Sequence, residues 1–210
     1  EADYIEGAEQ GDLFNTVTKQ LWKGEDGITV IPCFQTVKYL EFIPLDMGGG
    51  FQGEISPTDP VLQRTERKGS KEMLPSGNEL VKSDQHYSLL VDEDGMTQPV
   101  VIDMKSTQLK VSRRWKTTIA MQKIKHPKTG AMFVPPLFAT SWKFKTVEES
   151  NDKGTWFNYA IEKIGVLEDR HLMLEAKAFR DSVVAGEVKA AAEEGASTPS
   201  PALKDDEIPF

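Results

Sequence analysis

The sequence predicts a mainly β protein with peripheral helices, an α+β arrangement, and three observations lead there. Apolar residues fall in short runs rich in β-branched and aromatic types, turn-forming Gly, Asn and Asp separate the runs, and two segments carry the 3.6-residue apolar period of a helix. With 210 residues, 39% of them hydrophobic, the chain suits one principal domain with tails, because a domain takes roughly 100–200 residues.

Residues 1–26 are acidic and punctuated by glycine, and read as a loosely packed arm. Ile28 to Pro44 is one or two strands, with Pro32 marking a bulge or bend. From there to Gly77 the run Gly48, Gly49, Gly50 and the residues Pro57, Pro60 and Pro75 predict a long loop. The glycine run lacks the Lys-Ser/Thr pair and the helix of a phosphate-binding loop, so no nucleotide site is expected there.

Tyr87 to Val91 and Val100 to Met104 form a hairpin around Glu93-Asp94-Gly95. Ser106 is placed to cap a helix running to about Lys123, with Val111, Trp115 and Ile119 on one stripe and Lys110, Arg113 and Lys116 on another. Leu137 to Val147 and Thr155 to Val166 make a second strand pair. Glu168 or Asp169 opens a last helix, where Leu172, Ala176, Phe179 and Val183 share a face that ends near Gly186. Residues 190–201 are low-complexity linker with nothing to bury, a composition expected to be disordered. About five strands with a helix between the middle and last pairs suit an OB-type Greek-key barrel over residues 27–186, followed by a tail over 187–210.

A net charge of −8 argues against a polyanionic partner only when taken as an average. Between Met104 and Val147 there is no Asp or Glu, while Lys105, Lys110, Arg113, Arg114, Lys116, Lys123, Lys125, Lys128, Lys143 and Lys145 supply +10, which leaves −18 on the rest. Eight of the 18 aromatic residues lie between Trp115 and Tyr159. Cations hold phosphates and aromatic faces stack bases, the two requirements for binding single strands without sequence preference. In Ser141-Trp142-Lys143-Phe144-Lys145 the strand period puts the rings on one face and the lysines on the other. Trp142 and Trp156 are the stacking candidates, and Trp115, on the apolar helix stripe, is expected in the core.

The single cysteine, Cys33, excludes an intramolecular disulfide, and with His86, His126 and His171 scattered it cannot build a zinc ribbon; no metal or other cofactor is expected. The longest apolar run, Ile28 to Phe34, is far short of the ~20 residues of a membrane span, and the acidic N-terminus is unlike a signal peptide. The expectation is a cytoplasmic protein with no membrane partner.

The chain ends Asp205-Asp206-Glu207-Ile208-Pro209-Phe210. This resembles the C-terminal tip of bacterial single-stranded DNA-binding proteins. The resemblance implies a docking peptide for replication or recombination proteins, with Phe210 in a hydrophobic pocket, its terminal carboxylate on a basic residue, and the three acids on a basic rim. The body is unlike those bacterial proteins. Its stretches Lys105-Ser106-Thr107-Gln108-Leu109-Lys110, Ser112-Arg113-Arg114-Trp115 and Asn151-Asp152-Lys153-Gly154-Thr155-Trp156 are similar to bacteriophage-encoded single-stranded DNA-binding proteins, which implies an OB-fold and, for a phage protein, the host cytoplasm.

The resulting expectation is a non-enzymatic protein that coats and protects single-stranded DNA in replication or recombination, with homo-oligomerisation open. A different class comes from Asp92 and Asp103-Met104-Lys105, which resemble the carboxylate pair and lysine of Mg²⁺-dependent PD-(D/E)xK nucleases. RNA binding or recombination mediation is a third reading. The acidic tail facing a basic centre predicts competition with DNA. Deletion after Gly195 is expected to tighten oligonucleotide binding at low salt, measured by titration of full-length and truncated chains.

Overall fold

The computed structural model describes residues 5–188 apart from Pro127 and Lys153. The tail composition read as linker and the tip Asp205 to Phe210 lie outside the described residues. The chain divides into two compact units, whose described parts are residues 5–38 with 82–188, and residues 39–81. Strands β3 (Ile28–Phe42) and β7 (Glu79–Val91) run from one unit into the other.

The first unit also holds β1 (Leu13–Phe14), β2 (Leu21–Trp22), β8 (Thr97–Lys105), β9 (Ile124–Lys125), β10 (Met132–Phe133), β11 (Thr140–Asn151) and β12 (Gly154–Val166). Its helices are α1 (Gln108–Ala120) and α2 (Arg170–Val184). Neighbouring strands follow the order β12-β11-β3-β7, with β8 on the far side of β7. Both expected hairpins are present, β7–β8 and β11–β12, each with longer strands than the composition marked out.

β3 explains the two-sided packing. Its run ITVIPCF is apolar at consecutive positions, the pattern of a strand covered on both faces. Val30 joins Met104, Trp115, Ile119, Trp142 and Phe144 in one core cluster. Ile31 and Cys33 join Leu89 and Ala176 in a second. The first cluster carries α1 and the second α2. Burial pushes the Cys33 thiol up to about 12, so it stays protonated and unreactive in the folded chain.

The expected barrel does not close. Among the described residues no pairing joins β8 to β12, and α1 packs against both strands. Helix α1 also starts differently from expectation. Ser106 takes a left-handed φ of 50° and the N-cap position falls to Thr107, whose side chain makes no capping bond, while the Gln108 side chain accepts from Lys105 N at 3.2 Å. α2 begins as expected, with the Asp169 carboxylate accepting from His171 N at 2.7 Å and Leu172 N at 3.3 Å.

The acidic N-terminal residues are no loose arm where they are described. β1 pairs with β2, Lys23 bridges Glu9 and Asp12 at 2.8 and 3.1 Å, and β11 ties the segment down. Thr146 donates from Oγ1 to Gly11 O at 2.6 Å and from N to Gly24 O at 3.0 Å. Gly24 has to be glycine here, since a Cβ would overlap Gly11 O and Thr146 Oγ1.

In the second unit, the expected long loop contains β4 (Phe51–Ile55), β5 (Glu66–Lys68) and β6 (Lys71–Met73). β4 pairs with the end of β3, and β6 joins β5 to the start of β7. Leu40, Leu74 and Leu80 are buried, and Glu41 accepts from Ser76 Oγ and Asn78 Nδ2 at 3.0 and 2.7 Å. The glycine run turns the chain into β4 with no helix after it.

Truncating a ring in the first cluster leaves a cavity. Trp142→Ala is expected to lower stability by about 3–5 kcal/mol, read from urea unfolding.

Candidate nucleic-acid interface

Helix α1 carries the densest part of the basic segment. At about 100° per residue, Lys110, Arg113, Arg114 and Thr117 fall within an arc of about 100°. All four are exposed, while Ser112, Trp115 and Ile119 on the opposite side are buried. The ring of Trp115 lies 6.0 Å from both Trp142 and Phe144 in edge geometry and 4.8 Å from His86. The helix is thereby fixed by its apolar face, with its cations turned to solvent.

Lys116 does not belong with those cations. It reaches inward to an ion pair with Asp84, a carboxylate only 4% exposed. Ser112 Oγ lies 2.6 Å from Asp84 Oδ2 and 2.8 Å from His86 Nε2. An ionised carboxylate only accepts, so the single hydroxyl proton goes to Asp84 and His86 donates from Nε2. Burial opposes ionisation of Asp84, but Lys116 and Ser112 outweigh it and hold the carboxyl below its ordinary value. Burial, followed by the Lys116 charge, pushes the His86 imidazole down to about 4. Sequence spacing hides this network, because Asp84, His86, Ser112 and Lys116 meet only when β7 and α1 pack. Ser112 is fully buried and bridges the other two groups, so it secures α1.

Beyond α1 the segment forms a small hairpin. Register pairs Phe133 with Ile124 and Met132 with Lys125, so strand alternation places Lys123, Lys125, Met132 and Val134 on one face and Ile124, His126 and Phe133 on the other. His126 Nδ1 accepts from the amides of Lys128 and Thr129, both at 3.2 Å, and the Phe133 ring stands edge-on to the imidazole at 5.9 Å.

β11 alternates as expected, but the aromatic face is the core face. Trp142 is 2% exposed and bonds through Nε1 to Thr140 Oγ1 at 3.0 Å, so it offers no ring for stacking. Lys143 and Lys145 are half-buried on the outer face, with Lys143 opposite Glu162. Trp156 shares that outer face by register, half-buried opposite Glu149. The structure therefore separates Lys143, Lys145 and Trp156 from the α1 cations. Lys105 is paired with Asp103 at 3.1 Å. Among the described residues Lys110, Arg113, Arg114 and Lys123 face no carboxylate in an ion pair.

The carboxylates of the nuclease reading are not brought together. Asp103 stands opposite Gln85, and Asp92 lies seven residues further along, about 23 Å at the strand rise. Asp92 instead holds its turn, accepting from Asp94 N at 3.0 Å and Met96 N at 2.8 Å. Among the described residues no group of three or more His, Cys, Asp or Glu is placed to hold a metal ion, and no helix is long and apolar enough to cross a membrane.

Fold and surface together define an α+β protein with a helix whose solvent face is basic and free of acidic partners. A family model described as Pam3 phage gp34-like protein matches residues 1–189, and the chain belongs to that phage protein family. No curated protein and no solved structure matches the chain.

The depressed imidazole has a consequence for stability. Between its ordinary value near 6.5 and about 4 the unfolded chain binds a proton at His86 and the folded chain does not, so stability falls as pH falls through that window. The loss is expected to approach about 3 kcal/mol. His86→Gln, which keeps a donor for Ser112, is expected to flatten it when urea midpoints are compared at pH 7 and pH 4.5.

Proposed function

We infer that the protein binds single-stranded DNA without sequence preference, as a coating and protecting protein in phage replication or recombination. The observation that carries this reading is the α1 face: Lys110, Arg113 and Arg114 are exposed, share one arc, and face no carboxylate among the described residues. A polyanion fits such a surface, because each phosphate contact releases a counterion.

The strand order gives further support. Numbered among β3, β7, β8, β11 and β12 alone, the strands of the main sheet in the first unit run fifth, fourth, first, second, third, with α1 between third and fourth. That order supports reading the sheet as an OB-type Greek key left open at one seam, and OB domains bind single strands along their strands and loops. The phage family and the resemblance of the C-terminal tip agree with such a role. On this reading the tip recruits replication or recombination proteins.

Fluorescence anisotropy with a thymidine 20-mer and a 20-base-pair duplex over a range of salt tests the reading. The single strand is expected to bind tighter; equal affinities would overturn the proposal. The double variant R113Q/R114Q is expected to weaken binding and make the salt slope on the single strand shallower by about 1.4, two phosphate contacts at ~0.7 each.

A further inference from the structure

Of the eight aromatic residues between Trp115 and Tyr159, Phe133 is the most exposed, at 37%. Trp115, Trp142 and Phe144 are at most 2% exposed, and Phe138, Trp156, Phe157 and Tyr159 are half-buried. Base stacking needs an open ring face, so the aromatic best placed to supply it lies outside the β11–β12 hairpin where the density of rings is greatest.

Phe133 also stands in the right electrostatic setting. It sits on the β9–β10 hairpin, where exposed Lys128 lies in the turn, and exposed Lys123 and Lys125, with Met132 and Val134 at 59% and 54%, line the opposite face of the same two-stranded ribbon. The three lysines of the ribbon select a partner with negative charge at close spacing, and the ring selects one with flat apolar faces. A nucleic acid with unstacked bases has both; a duplex hides its base faces.

The hairpin is also pre-shaped. His126 N donates to Ala131 O at 2.8 Å and Gly130 N donates to His126 O at 2.9 Å. With Nδ1 accepting two turn amides, the imidazole is locked in orientation, and its T-shaped contact fixes the Phe133 ring. A ring already held in place loses little conformational entropy on binding.

We propose that the β9–β10 hairpin is the base-contacting element of the DNA surface: Phe133 stacks on an unpaired base, Lys128 in the turn holds an adjacent phosphate, Lys123 and Lys125 meet the backbone where the strand passes to the ribbon's other face, and the stacking contact gives the preference for single over double strands. The proposal rests on the single-stranded DNA reading above and assigns its specificity to one side chain.

The test is anisotropy of wild type, Phe133→Ala, Phe133→Leu and Phe133→Trp with three probes: the thymidine 20-mer, the same length with abasic sites, and a duplex. Stacking on one base accounts for roughly a 5- to 100-fold loss for the 20-mer with F133A and F133L, a retained affinity with F133W, and unchanged duplex binding. The abasic strand is expected to bind wild type and F133A alike. Phe133 belongs to neither core cluster, so these variants leave the core untouched, and the F133L and F133W pair separates loss of the ring from loss of apolar bulk.

If wild type binds the 20-mer and F133A binds it equally well, the hairpin proposal falls while the broader reading stands. If wild type binds no single strand, both fall. Vesicles of phosphatidylcholine with phosphatidylglycerol form a control arm. Vesicle binding that F133A abolishes, with 20-mer binding intact, would assign the hairpin to a lipid surface and overturn the proposal.

Discussion

The contact of Trp115 with the sheet is the interaction on which the rest of the first unit depends. The indole meets Trp142 and Phe144 edge-on and lies against the His86 ring, so one side chain joins α1 to β7 and β11. Edge-to-face pairs of this kind add about 0.5–1.5 kcal/mol each beyond the area they bury. Once the apolar face of α1 is committed inward, helix geometry places Lys110, Arg113 and Arg114 on the opposite side. The same helix packs on β8 and β12, where a closed barrel would have a strand pairing. The seam is covered by side chains rather than by backbone hydrogen bonds.

Beside that apolar anchor lies a polar one. Asp84, Ser112, His86 and Lys116 form a chain of contacts, charge-assisted at Asp84, in which the Ser112 hydroxyl proton goes to Asp84 and the His86 Nε2 proton to Ser112. Removing one partner of such a buried pair is costly because the other is left without compensation. The network also divides the basic segment by function. Lys116 neutralises a buried carboxylate, whereas its neighbours on the helix remain available to solvent.

Much of the local structure was legible in the sequence. The α2 stripe of Leu172, Ala176, Phe179 and Val183 and its Asp169 cap follow from 3.6-residue spacing and from the short carboxylate that precedes it. The alternation in Trp142 to Lys145 follows from the strand period. Which face of that strand is covered did not follow, because period alone is symmetric between faces. The N-terminal segment shows a related limit of local pattern. Its acids and glycines suggest a solvated arm, but the Thr146 hydroxyl and amide that hold it come from more than 100 residues away in the chain. Phe133 carried a weak local signal, a ring between two apolar residues next to the Thr129-Gly130 turn, outweighed by the denser tryptophans.

By itself the sequence determined the β7–β8 and β11–β12 hairpins, the two helices and the segregation of +10 into one acid-free segment. These depend on composition and on spacing along the chain, which act locally. Only the tertiary structure decided that Trp142 is core and Phe133 is surface, that Lys116 is paired inward, that Asp92 and Asp103 stand apart, and that the sheet stays open between β8 and β12. Each of these depends on which residues distant in sequence are brought into van der Waals or hydrogen-bond range. That range is set by strand register and helix docking, for which no local pattern of residue types is sufficient.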